Sequence, residues 1–166
     1  MNSSDLKKLQ APLKEQYQTD PDSAIITLKA QGNIGEGISC KVETGRALVE
    51  AGLHPATGGN GILACSGDML LEALVACAGV TISAVAIAIG IEIKSGSIHA
   101  EGDLDFKGTL GVSKDVPVGF KTIRLNFKID SNATPEQMES LKKLTERYCV
   151  VYQTITNGTN IQTNYN

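Results

Sequence analysis

Two stretches in the second half of the chain alternate apolar and polar side chains with a period of two. Across residues 97–106, Ile98, Ala100, Leu104 and Phe106 share one face, and His99, Glu101, Asp103 and Asp105 share the other. Across residues 120–129, Ile123, Leu125, Phe127 and Ile129 alternate with Thr122, Arg124, Asn126 and Lys128. This period predicts two half-buried strands, joined by the turn-rich segment 108–119. Nearer the start, residues 24–30 (AIITLKA), 38–43 and 46–51 predict three more strands. A Gly-rich connection at 32–37 and a tight turn at Thr44-Gly45 make these an antiparallel meander.

The period changes in two places. From about residue 68 to 89 the chain reads as one long helix, with Ser66 as N-cap, Asp68 at the positive end of its dipole and Gly90 as terminator. Further on, Thr134-Pro135-Glu136-Gln137 predicts a capped helix start: Thr at the cap, Pro in the first turn and Gln closing the capping box. Met138, Leu141, Leu144 and Tyr148 are the expected buried stripe of that helix. Residues 4–18 space Leu6, Leu9 and Leu13 helically around an interrupting Pro12, which predicts a short or broken helical arm, ended by a turn at Asp20-Pro21-Asp22. Residues 160–165 alternate weakly and predict a final edge strand. The organisation expected is therefore a helical arm over 1–21 and one domain over 22–166.

Strands, long helix, strands, helix and short strand, with hairpin-sized turns, predict an α+β fold built on antiparallel sheets. The long helix raises a membrane question, because residues 73–91 (ALVACAGVTISAVAIAIGI) carry no charge. That run is rich in Ala, Gly, Ser and Thr, and its flanks, Asp68, Glu72 and Glu92, are acidic rather than basic. The amphipathic strands also need a core to cover, so a buried central helix and no membrane contact are expected. A helix apolar all round cannot be covered from one side, and a chain of 166 residues offers limited cover. The pattern thus predicts an intimate homodimer.

Composition narrows the function. Hydrophobic residues make up 42% and charged residues 20%, as in ordinary globular chains, but aromatics are only 4% with no Trp. A net charge of −3, with no basic cluster longer than Lys7-Lys8 or Lys142-Lys143, argues against nucleic-acid binding, as does the lack of stacking aromatics. The segment 1–18 lacks an apolar signal core, and four cysteines are too few for a disulfide scaffold, so reduced thiols and a cytoplasmic location are expected.

Candidate chemistry rests on two cysteines. Cys77 lies in the helical run MLLEALVACAGVT, and Cys149 follows seventy-two residues later in ERYCVVY. Each stands alone in its segment, too distant for a local metal clip, and thiols on or near helices point to redox work. Against this, Cys is also a common small residue in packed helices. The Gly-rich segment 54–61 lacks the GK[ST] of a phosphate cradle and reads as a flexible loop over a site. Cys40 and Cys65 with His54 match no zinc spacing, so neither metal nor cofactor is expected, and His54 and His99 read as loop and surface residues. No nucleophile elbow is present for a hydrolase.

The order of elements, the Gly-rich loop, the motif Ser66-Gly67-Asp68-Met69-Leu70-Leu71-Glu72-Ala73-Leu74-Val75-Ala76-Cys77 and the later Glu146-Arg147-Tyr148-Cys149-Val150-Val151 resemble the OsmC/Ohr family over residues 22–166. This is the family of osmotically induced and organic-hydroperoxide-resistance proteins. The resemblance implies an intertwined dimer with active sites at the subunit interface. It implies a peroxidatic Cys77 and a resolving Cys149, recycled by a dithiol reductant. It further implies a cation and a carboxylate beside the first thiol. The early strand and hairpin (24–43) hold Lys29 and Lys41 but no Arg, which leaves Arg46, at the start of the third strand, as the candidate cation. Asp68 takes the carboxylate position, one methylene shorter than the family's Glu, with Glu72 one turn on. Arg147 is a further cation that could reach a thiolate across an interface. Reduction of organic hydroperoxides is the function implied; a non-catalytic dimer binding a small apolar ligand in its cleft is the alternative.

Overall fold

Backbone pairing rather than side-chain pattern defines the first sheet. In the computed structural model, the described residues are 2–5, 8, 11, 19, 31–34, 39–43 and 48–165, with the backbone alone for 31–34 and 39–43. Strands β1 (Gln31–Ile34), β2 (Ser39–Glu43) and β3 (Leu48–Gly52) form an antiparallel meander, with Gln31 opposite Glu43 and Lys41 opposite Glu50. The meander is as expected, but its first turn is not. Gly32, Asn33 and Ile34 belong to β1, where the sequence reading placed a hairpin connection. A ladder satisfies backbone N–H and C=O groups whatever the side chains, so turn-like residues are drawn into it. The predicted strand over 24–30, the turns at 20–22 and 44–45, and Arg46 lie outside the described residues. Of the N-terminal arm, Ser3 to Asp5 are helical, and the Asn2 side chain accepts from the Asp5 N–H at 2.9 Å.

A two-residue strand, β4 (Ala64–Cys65), adds to β3 in parallel, an addition the sequence did not announce. It leads directly into α1 (Ser66–Ile89), which ends at Gly90 with φ +76, a left-handed position suited to a residue without Cβ. Strands β5 (Ile93–Leu104) and β6 (Phe120–Ser131) pair as a second sheet, and their alternation is as read: Ile98, Ala100 and Leu104 inward, Ile123, Leu125, Phe127 and Ile129 inward. Phe106 is the exception. Asp105 caps the Lys107 N–H at 3.1 Å and starts the four-residue helix α2 (Phe106–Thr109), so a local side-chain bond ends the strand two residues early.

The capping box holds in full. The Thr134 hydroxyl accepts from the Gln137 N–H at 3.3 Å, and the Gln137 side chain accepts from the Thr134 N–H at 2.9 Å, opening α3 (Pro135–Tyr148). Its buried stripe runs through Leu141, Thr145 and Cys149, with Met138 and Leu144 beside it. Tyr148, expected in that stripe, is 58% exposed. It stands at the end of the helix, where the chain turns, and the guanidinium of Arg147 lies 5.7 Å over its ring. Residues 158–165 form no strand; the segment before them instead folds as α4 (Val150–Asn157), an element absent from the sequence reading.

The chain divides into two compact units. One comprises Met1–Ala24, Ala73–His99 and Asn126–Asn166, and the other Ile25–Glu72 and Ala100–Leu125. The core of the first is Ile82, Val85, Ala86, Ile91 and Leu141, with Ile98, Phe127, Ile129 and Met138 packed against it. Burial of each such aliphatic side chain contributes roughly 1.5–3 kcal/mol. A reciprocal pair, Glu92 N–H to the Asn132 side chain at 3.0 Å and Asn132 N–H to the Glu92 carbonyl at 3.2 Å, ties the start of β5 to the end of β6. The central helix is buried along one stripe only: Leu74, Ala78, Ile82, Val85 and Ala86. Its length and composition would also suit a membrane crossing, yet three of those five residues belong to this core.

Candidate functional site

Cys77 projects from the middle of α1, half-buried, one position before the buried Ala78. Cys149 occupies the single residue between α3 and α4 and is 1% exposed. It closes one helix and opens the next: its N–H donates to the Thr145 carbonyl at 3.0 Å, and its carbonyl accepts from the Gln153 N–H at 2.9 Å. Extended geometry at this residue (φ −74, ψ 107) breaks the helical path. The first N–H groups of α4, which have no partner inside the helix, are thereby turned toward the two sulfurs.

The fold brings the two thiols into hydrogen-bonding contact, and their surroundings differ. At Cys77 the largest single influence is burial, which opposes ionisation. The Val151 N–H, the Cys149 thiol, the Thr81 hydroxyl and the Val150 N–H together outweigh it, and Cys77 is held below the ordinary thiol value. At Cys149 burial is again largest, and here it prevails. Closeness to Cys77 adds to the rise, against the opposing Tyr152 N–H and Thr81 hydroxyl. The pair is therefore unequal: ionisation is eased at Cys77 and opposed at Cys149. A thiolate at a helix N-terminus is a recognised way of lowering a thiol pKa, through the N–H groups and the helix dipole.

The leading influences on Cys77 are burial, backbone N–H groups and neutral side chains. Of the candidates read from the sequence, Cys77 and Cys149 meet, and Arg46 lies outside the described residues. Asp68 lies in the first turn of α1, in the other unit, where it lines a cavity of about 340 Å³ with His54, Cys65, Phe106 and Phe120. In that unit the His54 Nδ1 accepts from the Ala56 N–H at 3.1 Å and its ring stacks on Phe106 at 5.1 Å. His54 is thus a capping and packing residue of a short 3-10 turn (Pro55–Thr57), within the segment read as a flexible loop. Arg147 is taken up by Tyr148.

Three contributors escaped the sequence reading. Thr81 was visible as a hydroxyl one turn after Cys77 in an otherwise apolar run. The N–H groups of Val150 and Val151 carried no side-chain signal, because backbone donors act whatever residue bears them.

Residues 59–164 match the family described as OsmC-like protein. The chain belongs to that family. No curated protein matches the sequence. Among solved structures, this OsmC-like chain is similar to the OsmC-like protein of Mycoplasma pneumoniae, with a TM-score of 0.66 at 17% identity over 80% of this chain and 89% of that one. It is also similar to an organic hydroperoxide resistance protein of Elizabethkingia anophelis, with a TM-score of 0.64 at 16% identity, covering 81% and 91%. A third is the organic hydroperoxide resistance protein OsmC of Legionella pneumophila, with a TM-score of 0.62 at 19% identity, covering 80% and 90%. At these identities the likeness establishes the shared fold: α+β, with antiparallel strand pairing and a long central helix.

Proposed function

We propose that this OsmC-like protein is a thiol-dependent, peroxidase-like redox protein that reduces organic hydroperoxides through Cys77 and Cys149. The observation that carries the reading is the meeting of two unequal thiols: one eased toward ionisation, its neighbour buried and held from it. The names of the Elizabethkingia and Legionella relatives supply the substrate class.

In this scheme the Cys77 thiolate attacks the outer oxygen of R–O–O–H. The O–O bond breaks, the alcohol leaves after taking a proton, and Cys77 becomes a sulfenic acid. Cys149 then displaces the sulfenic hydroxyl, forming a disulfide and releasing water. Burial still opposes ionisation of Cys149 after this step. Formation of the sulfenic acid nevertheless removes the part of the rise that came from Cys77, which favours reaction of the second thiol once the first has been oxidised. A dithiol reductant returns two electrons and two protons. The working protein in this proposal is a cytoplasmic homodimer, in which a second copy covers the apolar positions α1 leaves open, Val80 above all at 73% exposed.

The second reading, a non-catalytic dimer holding a small apolar ligand, draws on a cavity of about 470 Å³ at the C-terminal end of α1, lined in part by Ala86, Ile87, Ile91 and Ile93. Intact mass after a slight excess of cumene hydroperoxide, with thiols alkylated before and after, separates the two. A loss of about two daltons mapping to a Cys77–Cys149 peptide is expected. Two thiols that remain free and alkylate slowly would move the assignment to the ligand-binding reading.

A further inference from the structure

Thr81 is a polar residue on an apolar helix, placed one full turn after Cys77 and therefore on the same face. Its hydroxyl donates to the Cys77 carbonyl at 2.7 Å in a half-buried setting. Ser83 makes the same backward bond to the Gly79 carbonyl at 2.9 Å, but from an exposed position away from the sulfurs. The two hydroxyls form a natural control pair: equal in their bond to the helix, unequal in their neighbours.

We propose that Thr81 is a positioning residue of the redox pair, whose hydroxyl turns between the Cys77 carbonyl and the sulfurs it faces. The Cys77 carbonyl lies in the interior of α1 and can also accept from the helix ladder, so it does not depend on the Thr81 proton. A hydroxyl hydrogen rotates without moving the oxygen, and the same oxygen can accept from a thiol while its proton is donated elsewhere. With Cys77 as thiolate, the Thr81 hydroxyl adds a donor to those of Val150 and Val151. With Cys77 oxidised, it can turn back to the carbonyl and leave the sulfur to Cys149. The polar groups facing Cys77 come from three places: the α4 N-terminus (Val150 and Val151 N–H), the α3–α4 junction (the Cys149 thiol), and Thr81 on α1 itself. Each of these polar groups is a neutral donor, and a neutral donor favours the thiolate by hydrogen bonding to it. β-Branching also suits the position, since it limits Thr81 to few rotamers and keeps the oxygen where both sulfurs meet.

This inference deepens the redox reading of the site, and its test does not require peroxide turnover. The rate of Cys77 alkylation by iodoacetamide would be followed against pH in the full-length protein, with Thr81→Val, Thr81→Ser, Thr81→Ala and Ser83→Ala beside it. Thr81→Val keeps the shape and removes the donor. Its profile should move upward by roughly half to one pH unit, slowing alkylation at neutral pH about three- to tenfold. Thr81→Ser should restore the original profile, and Ser83→Ala should not move it. If Thr81→Val does not fold, Thr81→Ala carries the same expected shift. An unmoved profile in Thr81→Val or Thr81→Ala, or a shift equal to that of Ser83→Ala, overturns the proposal. A shifted profile with no hydroperoxide consumption leaves Thr81 in place and removes the peroxidase reading instead.

Discussion

Two half-buried free thiols, Cys65 and Cys77, stand in very different company. Cys65 immediately precedes α1, the longest helix among the described residues, beside a cavity with aromatic walls and the carboxylates of Asp68 and Asp103. Asp103 is engaged by Arg124, which bonds both of its oxygens, one of them at 2.8 Å, and also reaches Glu101 at 3.1 Å. Cys77 has no helix start of its own. It gains one from α4, together with a second thiol and a hydroxyl. Proximity in sequence to a helix N-terminus is therefore a poor guide to thiol chemistry. What distinguishes Cys77 is convergence: donors from α1, from α4 and from the α3–α4 junction meet at one sulfur.

The largest effect expected from this contrast is on activity. Cys77→Ser should abolish hydroperoxide consumption, a loss of about a hundredfold or more, because serine offers no comparable nucleophile at neutral pH. Cys65→Ser should retain it, and a xylenol-orange peroxide assay on both variants decides the matter; equal losses would break the comparison.

Next in size is a structural change confined to the Cys65 unit. A Cβ at Gly102 would lie 2.5 Å from the Phe120 Cδ1, so Gly102→Ala must displace an aromatic ring that lines the cavity. Overpacking of this kind costs roughly 1–3 kcal/mol, readable by urea denaturation, while the alkylation profile of Cys77 should stay where it was.

The smallest effect is the pH dependence of stability. Cys77 is depressed in the folded protein, so its contribution grows as pH rises through its folded value toward the ordinary thiol value of 9.0. Cys149 is raised, so its contribution is present below 9.0 and is lost as pH climbs from there toward its folded value. Their sum predicts a shallow stability maximum near the ordinary thiol value. Thermal unfolding of the wild type against a Cys77→Ala, Cys149→Ala double variant should show the maximum only in the wild type.

Much of the fold was legible because its signals are local. The alternation along β5 and β6 survives in the structure residue by residue, and the Thr134–Gln137 capping box forms as read. Local reading failed where tertiary context overruled propensity. Val150, Val151, Thr154, Ile155 and Thr156 are β-branched and carry no helix signal, but their helix penalty is only a few tenths of a kcal/mol each. Bonds such as Gln153 N–H to the Cys149 carbonyl, and the Gln153 side chain to the Glu146 carbonyl at 2.9 Å, accompany a helix there instead. Tyr148 was assigned to a buried stripe by its spacing, yet the helix ends at that residue and the buried place passes to Cys149.

What the sequence determined by itself was the set of elements whose causes lie within a few residues: strand alternation, the capping box, the glycine that ends α1, and the identity of two isolated thiols. Only the tertiary structure decided that thiols seventy-two residues apart would meet. It also decided that backbone N–H groups would serve one of them and burial would silence the other. The physical reason is range: periodicity and caps act through neighbouring bonds, whereas a thiol pKa depends on whatever the fold brings within a few ångströms, wherever that lies in the chain.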